Sequence, residues 1–233
     1  MLSEFIDKIL DTSAPRKLTV DDREYFTRNL FPVMEPMPEG LQITTLTGLV
    51  DFIHDLSEID ILIHVLSCTR VDVIGHLQAK FMQRKRYISA ILDPVNLPFD
   101  RWLELEPFII ALQSMFVQSA SINDILSLVG NLKDGTVKNY NDTGITQVVT
   151  AKTGVATVDE IAVPNPVTLQ PYRTFNEVEQ PESLFVFRMR SCPEGGTPTC
   201  LLTEADGGKW RLDAILQIRE WLAEALPDIP IIA

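Results

Sequence analysis

The stretch from Leu184 to Leu226 constrains this chain more than any other, because three patterns follow one another within it. From Leu184 to Arg190, aromatic and branched residues lead into a basic alternation (Arg188, Met189, Arg190), the texture of a half-buried strand. Pro193, Gly195, Gly196 and Pro198 then punctuate the chain densely enough to reverse it, and Cys200 to Thr203 returns as a second strand. Asp206, Gly207 and Gly208 break that strand. From Lys209 the apolar period becomes helical, with Leu212, Ile215, Ile218, Leu222 and Leu226 along one stripe and Trp210, Ala214 and Trp221 along a second, until Pro227 ends the helix. The expected fold class is α+β, with mixed or antiparallel sheets, several short helices and a C-terminal helix packed on a β-hairpin.

A chain of 233 residues buries roughly 70–75% of its unfolded surface and needs no disulfide or metal to hold a core. The expectation is a single domain over 1–233, with an N-terminal α/β lobe to about residue 130 and a strand-rich lobe from about 131 that ends in the helix. Its apolar runs fall short of a membrane span, so no membrane partner is expected. Met1 to Leu10 lacks the basic start and long apolar run of a secretory signal, which points to the cytosol. The three cysteines, an odd number, suit reduced thiols, although Cys192 and Cys200 flank the hairpin loop closely enough to leave a bridge open. A net charge of −12 repels polyphosphates and disfavours general nucleic-acid binding.

Taken in order, Ser3 to Leu10 predicts a helix, and Val20 to Phe31 a second one with Asp21, Asp22 and Glu24 near its start. Prolines 32, 36 and 38 make an extended connector. Leu41 to Leu46 reads as a strand, and Thr47 caps a helix with Leu49, Val50, Phe52, Ile53 and Leu56 on its apolar side. Ile61–Leu66 and Val71–Leu77 form an apolar hairpin with its turn at Ser67–Arg70, and Tyr87–Leu92 is the next strand. Phe99 to Phe116 is helical but broken at Pro107, which leaves Arg101 to Leu103 as a short first piece. Ser121 to Val129 is another helix, closed by Gly130. Beyond Lys133 the strands Gly144–Ala151, Thr157–Val163 and Val167–Phe175 are expected.

Chemistry is sparse. No Walker loop, dinucleotide fingerprint, nucleophile elbow or zinc-ligand spacing is present, so no catalytic residue, metal or cofactor is assigned. With Leu66 paired to Val71, His64 and His76 fall on opposite sides of the hairpin and share no metal with each other. Asp93, Asp100, Glu104 and Glu106 lack the pattern of a nuclease site. Two places remain for an anionic, nucleotide-like ligand. One is the basic run Lys80, Arg84, Lys85 and Arg86, interleaved with Phe81 and Tyr87. The other is the turn Gly207, Gly208, Lys209 at a helix start, where Asp206 competes for the same N–H groups. A surplus of apolar residues on the last helix and the tail marks Trp210, Trp221, Ile229, Ile231 and Ile232 as a homo-oligomer interface.

Three stretches carry a family resemblance: PVMEPMPEGLQITTLTGLVDFI (32–53), YISAILDP followed by FDRWLELEPFIIALQSMF (87–94 and 99–116), and TLQPYRTFNEVEQPESLFVFRMR (168–190) with CLLTEADGGKWRLDAI after it. Together they resemble the family of phage and prophage proteins that includes the prophage protein YfdQ. That family has no established catalytic residues, so the resemblance implies a bacterial-virus context, in the host cytoplasm, and no chemistry. The reading is a self-associating structural or interaction protein, with another phage or host protein as a further partner. A binder of a small anionic ligand and a metal-dependent enzyme are the alternatives.

Overall fold

In the computed structural model, residues 2–13, 17–20, 23–26, 39–56, 60–78, 83–93, 95–133, 136–142, 147–153, 157–190 and 198–233 are described. The chain forms two compact units, Met1–Pro38 and Glu39–Ala233. The first holds helix α1 (Leu2–Ser13) and a hairpin of β1 (Lys17–Val20) and β2 (Arg23–Phe26). The expected helix from Val20 to Phe31 is therefore corrected to strand over its described residues. Thr19, Val20, Tyr25 and Phe26 are branched or aromatic and favour extended backbone over a helix.

The second unit is α+β, built as two sheet-and-helix layers. A five-stranded sheet has the order β14-β4-β5-β6-β3, from Ile231–Ile232, Ile61–Ser67, Arg70–Gln78, Gln83–Ile91 and Leu41–Ile43. Its outermost strands β14 and β3 run parallel to their neighbours, and the rest is antiparallel. Helices α2 (Leu46–Asp55) and α5 (Lys209–Ala225) pack on one face, over Ile61, Ile63, Val65, Val71, Val73, Ile88 and Ala90. A four-stranded sheet has the order β11-β12-β13-β7, from Val167–Leu169, Ser183–Arg190, Thr199–Glu204 and Leu103–Glu104. Helices α3 (Leu105–Ser114) and α4 (Ala120–Lys133) cover it, with Phe108, Leu112, Ile122 and Ile125 against Phe185, Phe187 and Leu202. A separate antiparallel sheet, β10-β9-β8, takes Thr157–Val163, Gln147–Thr153 and Thr136–Asp142.

Several local expectations move. The last helix does not lie on the hairpin before it: α5 packs against β4, β14 and α2, and α3 and α4 take the hairpin instead. The two cores thus interleave across residue 130 rather than dividing there. The inward row of α5 is Trp210, Ala214, Ile218, Leu222 and Leu226, a strict i+4 repeat, so Leu212 turns outward at 59% exposure. Arg101 to Leu103 is not helical, because Leu103 and Glu104 pair with Cys200 and Thr199 as a strand edge, and Pro107 sits in the first turn of α3. Thr45, not Thr47, caps α2 by accepting from the Gly48 N–H at 3.2 Å. Helix α4 runs through Gly130 to Lys133, and Ser119 rather than Ser121 accepts from the Ile122 N–H at its start.

Between the layers, residues 170–182 act as a strap. Pro171 bridges to Phe116, and the Tyr172 N–H donates to Met115. Phe175 and Val178 enter the five-stranded core. The Glu177 carboxylate accepts from the Leu46 and Thr47 N–H groups at 2.8 and 3.2 Å, which places a negative charge at the positive end of α2. Gln180, buried, accepts from the Arg173 and Thr174 N–H groups and donates to the Thr174 and Phe175 carbonyls, so one side chain fixes the strap's bend.

Candidate functional site

Two charged constellations stand out, one between the layers and one on the open face of the larger sheet. The first centres on Arg173, which is 5% exposed. Its guanidinium donates to the Glu204 carboxylate and the Ser183 hydroxyl, and lies 3.7 Å above the Trp210 ring. Ser183 passes its own proton toward Asp206 at 2.6 Å. Asp206 in turn accepts from the Gly208 and Trp210 N–H groups at 2.9 and 3.3 Å, capping α5. Burial pushes the Asp206 carboxyl up, but the Ser183 bond, the two N–H groups and the Arg173 charge outweigh it and carry the pKa below the ordinary range. Burial lowers Arg173 to about 10, opposed by the Glu204 and Asp206 charges, so it stays cationic at neutral pH. The Arg173 contacts to Glu204, Ser183 and Trp210, with the Ser183–Asp206 bond, tie the strap, the smaller sheet and the start of α5 together, so the arrangement reads as a clasp.

The second constellation lies on the five-stranded sheet, on the side away from α2 and α5. Strand alternation turns Leu62, His64, Asp72, Ile74 and Ser89 to this face. Asp72 is only 2% exposed although, among the described residues, no helix packs on its face; Arg70 and Arg86 both reach over it. Arg70 grips it with Nε and Nη2 at 3.0 and 3.1 Å, and Arg86 adds Nε at 3.1 Å. Burial again acts to raise the Asp72 pKa, and the bonds from Arg70 and Ser89 with the two guanidinium charges reverse it to a lowered value. One buried carboxylate therefore orients two cations whose side chains remain 35% and 53% exposed.

The residues proposed for anion binding are not gathered into a pocket. Lys80 lies outside the described residues. Arg84, Lys85 and Arg86 stand on strand β6 rather than in the connection before it, where alternation parts them. Arg84 donates to the Gly75 carbonyl at 3.1 Å, Lys85 sits 4.3 Å over the Tyr87 ring, and Arg86 holds Asp72. Gly207 and Gly208 have φ of 66° and 83°, left-handed values that favour glycine, and the helix start beside them is filled by Asp206. Lys209 is 3.8 Å from Asp213, one turn along the exposed surface.

The proposed interface residues also move. Trp210 is 7% exposed, stacked under Arg173 inside its own chain, and its role as an interface residue is corrected on that ground. Trp221, Ile229 and Ile231 pack partly buried against the five-stranded core, and Ile231–Ile232 adds the short strand β14 to the sheet edge, with Ile232 53% exposed. The hairpin register is Val65↔Val71 and His64↔Asp72, one residue from the expected pairing, with a bulge between Val65 and Ser67. His64 and His76 therefore share a face, four residues apart in register, or roughly 13 Å. His76 instead contacts Asp60. Among the described residues no three His, Cys, Asp or Glu side chains cluster as metal ligands, and no helix is long and apolar enough to cross a membrane. A groove of about 740 Å³ opens between the strap and the end of α3, but its buried polar side chains, Thr174 and Gln180, bond within the chain. Sequence reasoning missed Arg70, Asp72 and Arg173. The signal for Asp72 was a lone charge inside the apolar run Val71–Ile74.

Comparison with protein-family models, with curated proteins and with solved structures finds no match.

Proposed function

We propose that this chain is a self-associating structural or interaction protein of phage or prophage origin, working in the cytoplasm of the bacterial host. The association rests on one observation, the unequal faces of the five-stranded sheet. Two helices close one face, and on the other Leu62, His64 and Ile74 remain half-buried beside the guanidiniums of Arg70 and Arg86. An antiparallel sheet that meets only water carries polar residues on its wet side. A wet side that mixes apolar side chains with braced arginines suits a protein partner, since interface cores are rich in apolar groups and arginine. The three resembling stretches support the phage context. Size-exclusion chromatography with light scattering, paired with images of the particles, tests the reading. A particle mass above that of the monomer is expected, and a monomer at every concentration overturns it.

A further inference from the structure

We infer that the open face of the five-stranded sheet receives the outward face of α5 from a second copy of the chain, head to tail. The inference rests on the self-association proposed above and names its contact. Helix α5 spends Trp210, Ala214, Ile218 and Leu222 on its own chain. A second i+4 row, Leu212, Leu216, Glu220 and Glu224, runs down its outward side, with the leucines 59% and 41% exposed and Arg219 flanking the glutamates. That row offers two apolar side chains followed by two carboxylates. The sheet face offers the matching pair: Leu62, Ile74 and Leu66, the last 41% exposed, beside Arg70 and Arg86 fixed on Asp72.

Geometry excludes a contact within one chain. Helix α5 covers the inner face of the sheet, so its outward row and the open face point away from each other. Charge selects the orientation between copies. Two open sheet faces would bring guanidiniums together, whereas the row on α5 brings Glu220 and Glu224 to them, on a chain whose net charge is −12. Because the two patches differ and point away from each other within one chain, a two-fold pair cannot satisfy both, so the contact is heterologous and either closes into a ring or runs on as a filament.

Two variants test this in the full chain. Leu212→Glu with Leu216→Glu spoils the helix row, and Leu66→Asp with Arg86→Glu spoils the sheet face. Each alone is expected to weaken association roughly 100-fold and to run as a monomer in light scattering. Mixed in equal amounts they should form a dimer and stop, since each copy keeps one intact face. Circular dichroism checks the folds, and Leu66→Asp alone serves as the sheet-face variant where loss of Arg86 unfolds the chain. An assembled parent whose mass neither variant changes overturns this contact and leaves self-association standing, whereas a monomeric parent overturns both. A mixture that stays monomeric overturns the head-to-tail geometry.

Discussion

The two layers of the larger unit solve the same packing problem with different side chains. The four-stranded layer is closed by rings: Phe108 and Phe187 stack at 5.5 Å with 6° between planes, and Phe99 meets Phe116 and Phe185 at 6.1 and 5.0 Å. The five-stranded layer is closed mainly by Leu, Ile and Val, with Phe175 brought in by the strap. The sources of the chain differ too. The ring-filled core draws on residues 105–129 and 167–202, whereas the aliphatic core joins 46–90 to 175–178 and 218–226. Contacts so far apart in sequence close long loops, at a cost in chain entropy that grows with loop length. The layer that holds the open face is therefore the one that depends on the C-terminal helix.

The largest effect is expected from emptying a ring position. Phe187→Ala should cost roughly 3–5 kcal/mol, because a fully buried ring leaves a cavity that its stacked partner Phe108 cannot fill, while Ile63→Val in the other layer should cost about 1 kcal/mol. Urea unfolding of the two variants beside the parent measures both. A Phe187→Ala cost near that of Ile63→Val would mean that the ring-filled core collapses around the lost side chain rather than keeping the cavity.

Next comes the clasp between the layers. Arg173→Ala should destabilise by about 3 kcal/mol, since it strands the Glu204 carboxylate, removes the positive charge near Asp206 and bares Trp210. Arg173→Lys should recover only part of this, because an ammonium neither forks between Glu204 and Ser183 nor stacks flat on an indole. Thermal unfolding of the three proteins decides it, and full recovery by lysine would reduce the clasp to simple charge.

A smaller effect follows from the lowered carboxylates. Asp206 and Asp72 both titrate lower in the folded chain than the ordinary 3.8, so their contribution is whole above that value and is lost as pH falls below it. Asp206→Ala should cost about 1–2 kcal/mol at neutral pH through the lost cap, and the gap to the parent should narrow as the pH falls below 3.8. Thermal unfolding against pH checks this, and a gap that stays constant would show that the Asp206 charge contributes nothing.

How far the sequence foretold these regions follows from where the determining contacts lie. Hairpin β12–β13 and the limits of α5 were legible because Pro193, Gly195, Gly196, Gly207 and Gly208 mark local boundaries and the periods between them are clean. Which layer α5 joins was not legible, since periodicity names an apolar face and never its partner. The same limit put Leu212 inside, where the i+4 repeat of Trp210, Ala214 and Ile218 outcompetes it. Register was missed by one residue at the bulge between Val65 and Ser67, and that slip moved His64 from opposite Val73 to opposite Asp72. Of the sites, only Arg86 among the foreseen cations belongs to the open face. Its partners Arg70 and Asp72 reach it through strand pairing, and Arg173 through a strap rich in proline and polar residues with no periodic pattern.

The last and gentlest probe uses the thiols, one in each layer. Cys200 is fully buried in β13 against the rings, and burial pushes its thiol up to about 12. Cys68 sits half-buried in the turn between β4 and β5; burial raises its pKa as well, opposed by a backbone hydrogen bond and by the charges of Arg211 and Arg173. Thiolate is the reactive form, so alkylation near neutral pH should mark Cys68 first and reach Cys200 only when the four-stranded layer opens. Cys192 lies outside the described residues, and Cys192→Ser keeps the readout to these two thiols. In that background Phe187→Ala should speed the labelling of Cys200 while leaving Cys68 nearly unchanged, because the cavity loosens one layer only. Mass spectrometry of timed samples separates the two sites. Equal labelling rates in the folded parent, or a Phe187→Ala variant that accelerates both thiols alike, would mean that the layers open together and that the clasp at Arg173 joins them into one cooperative body.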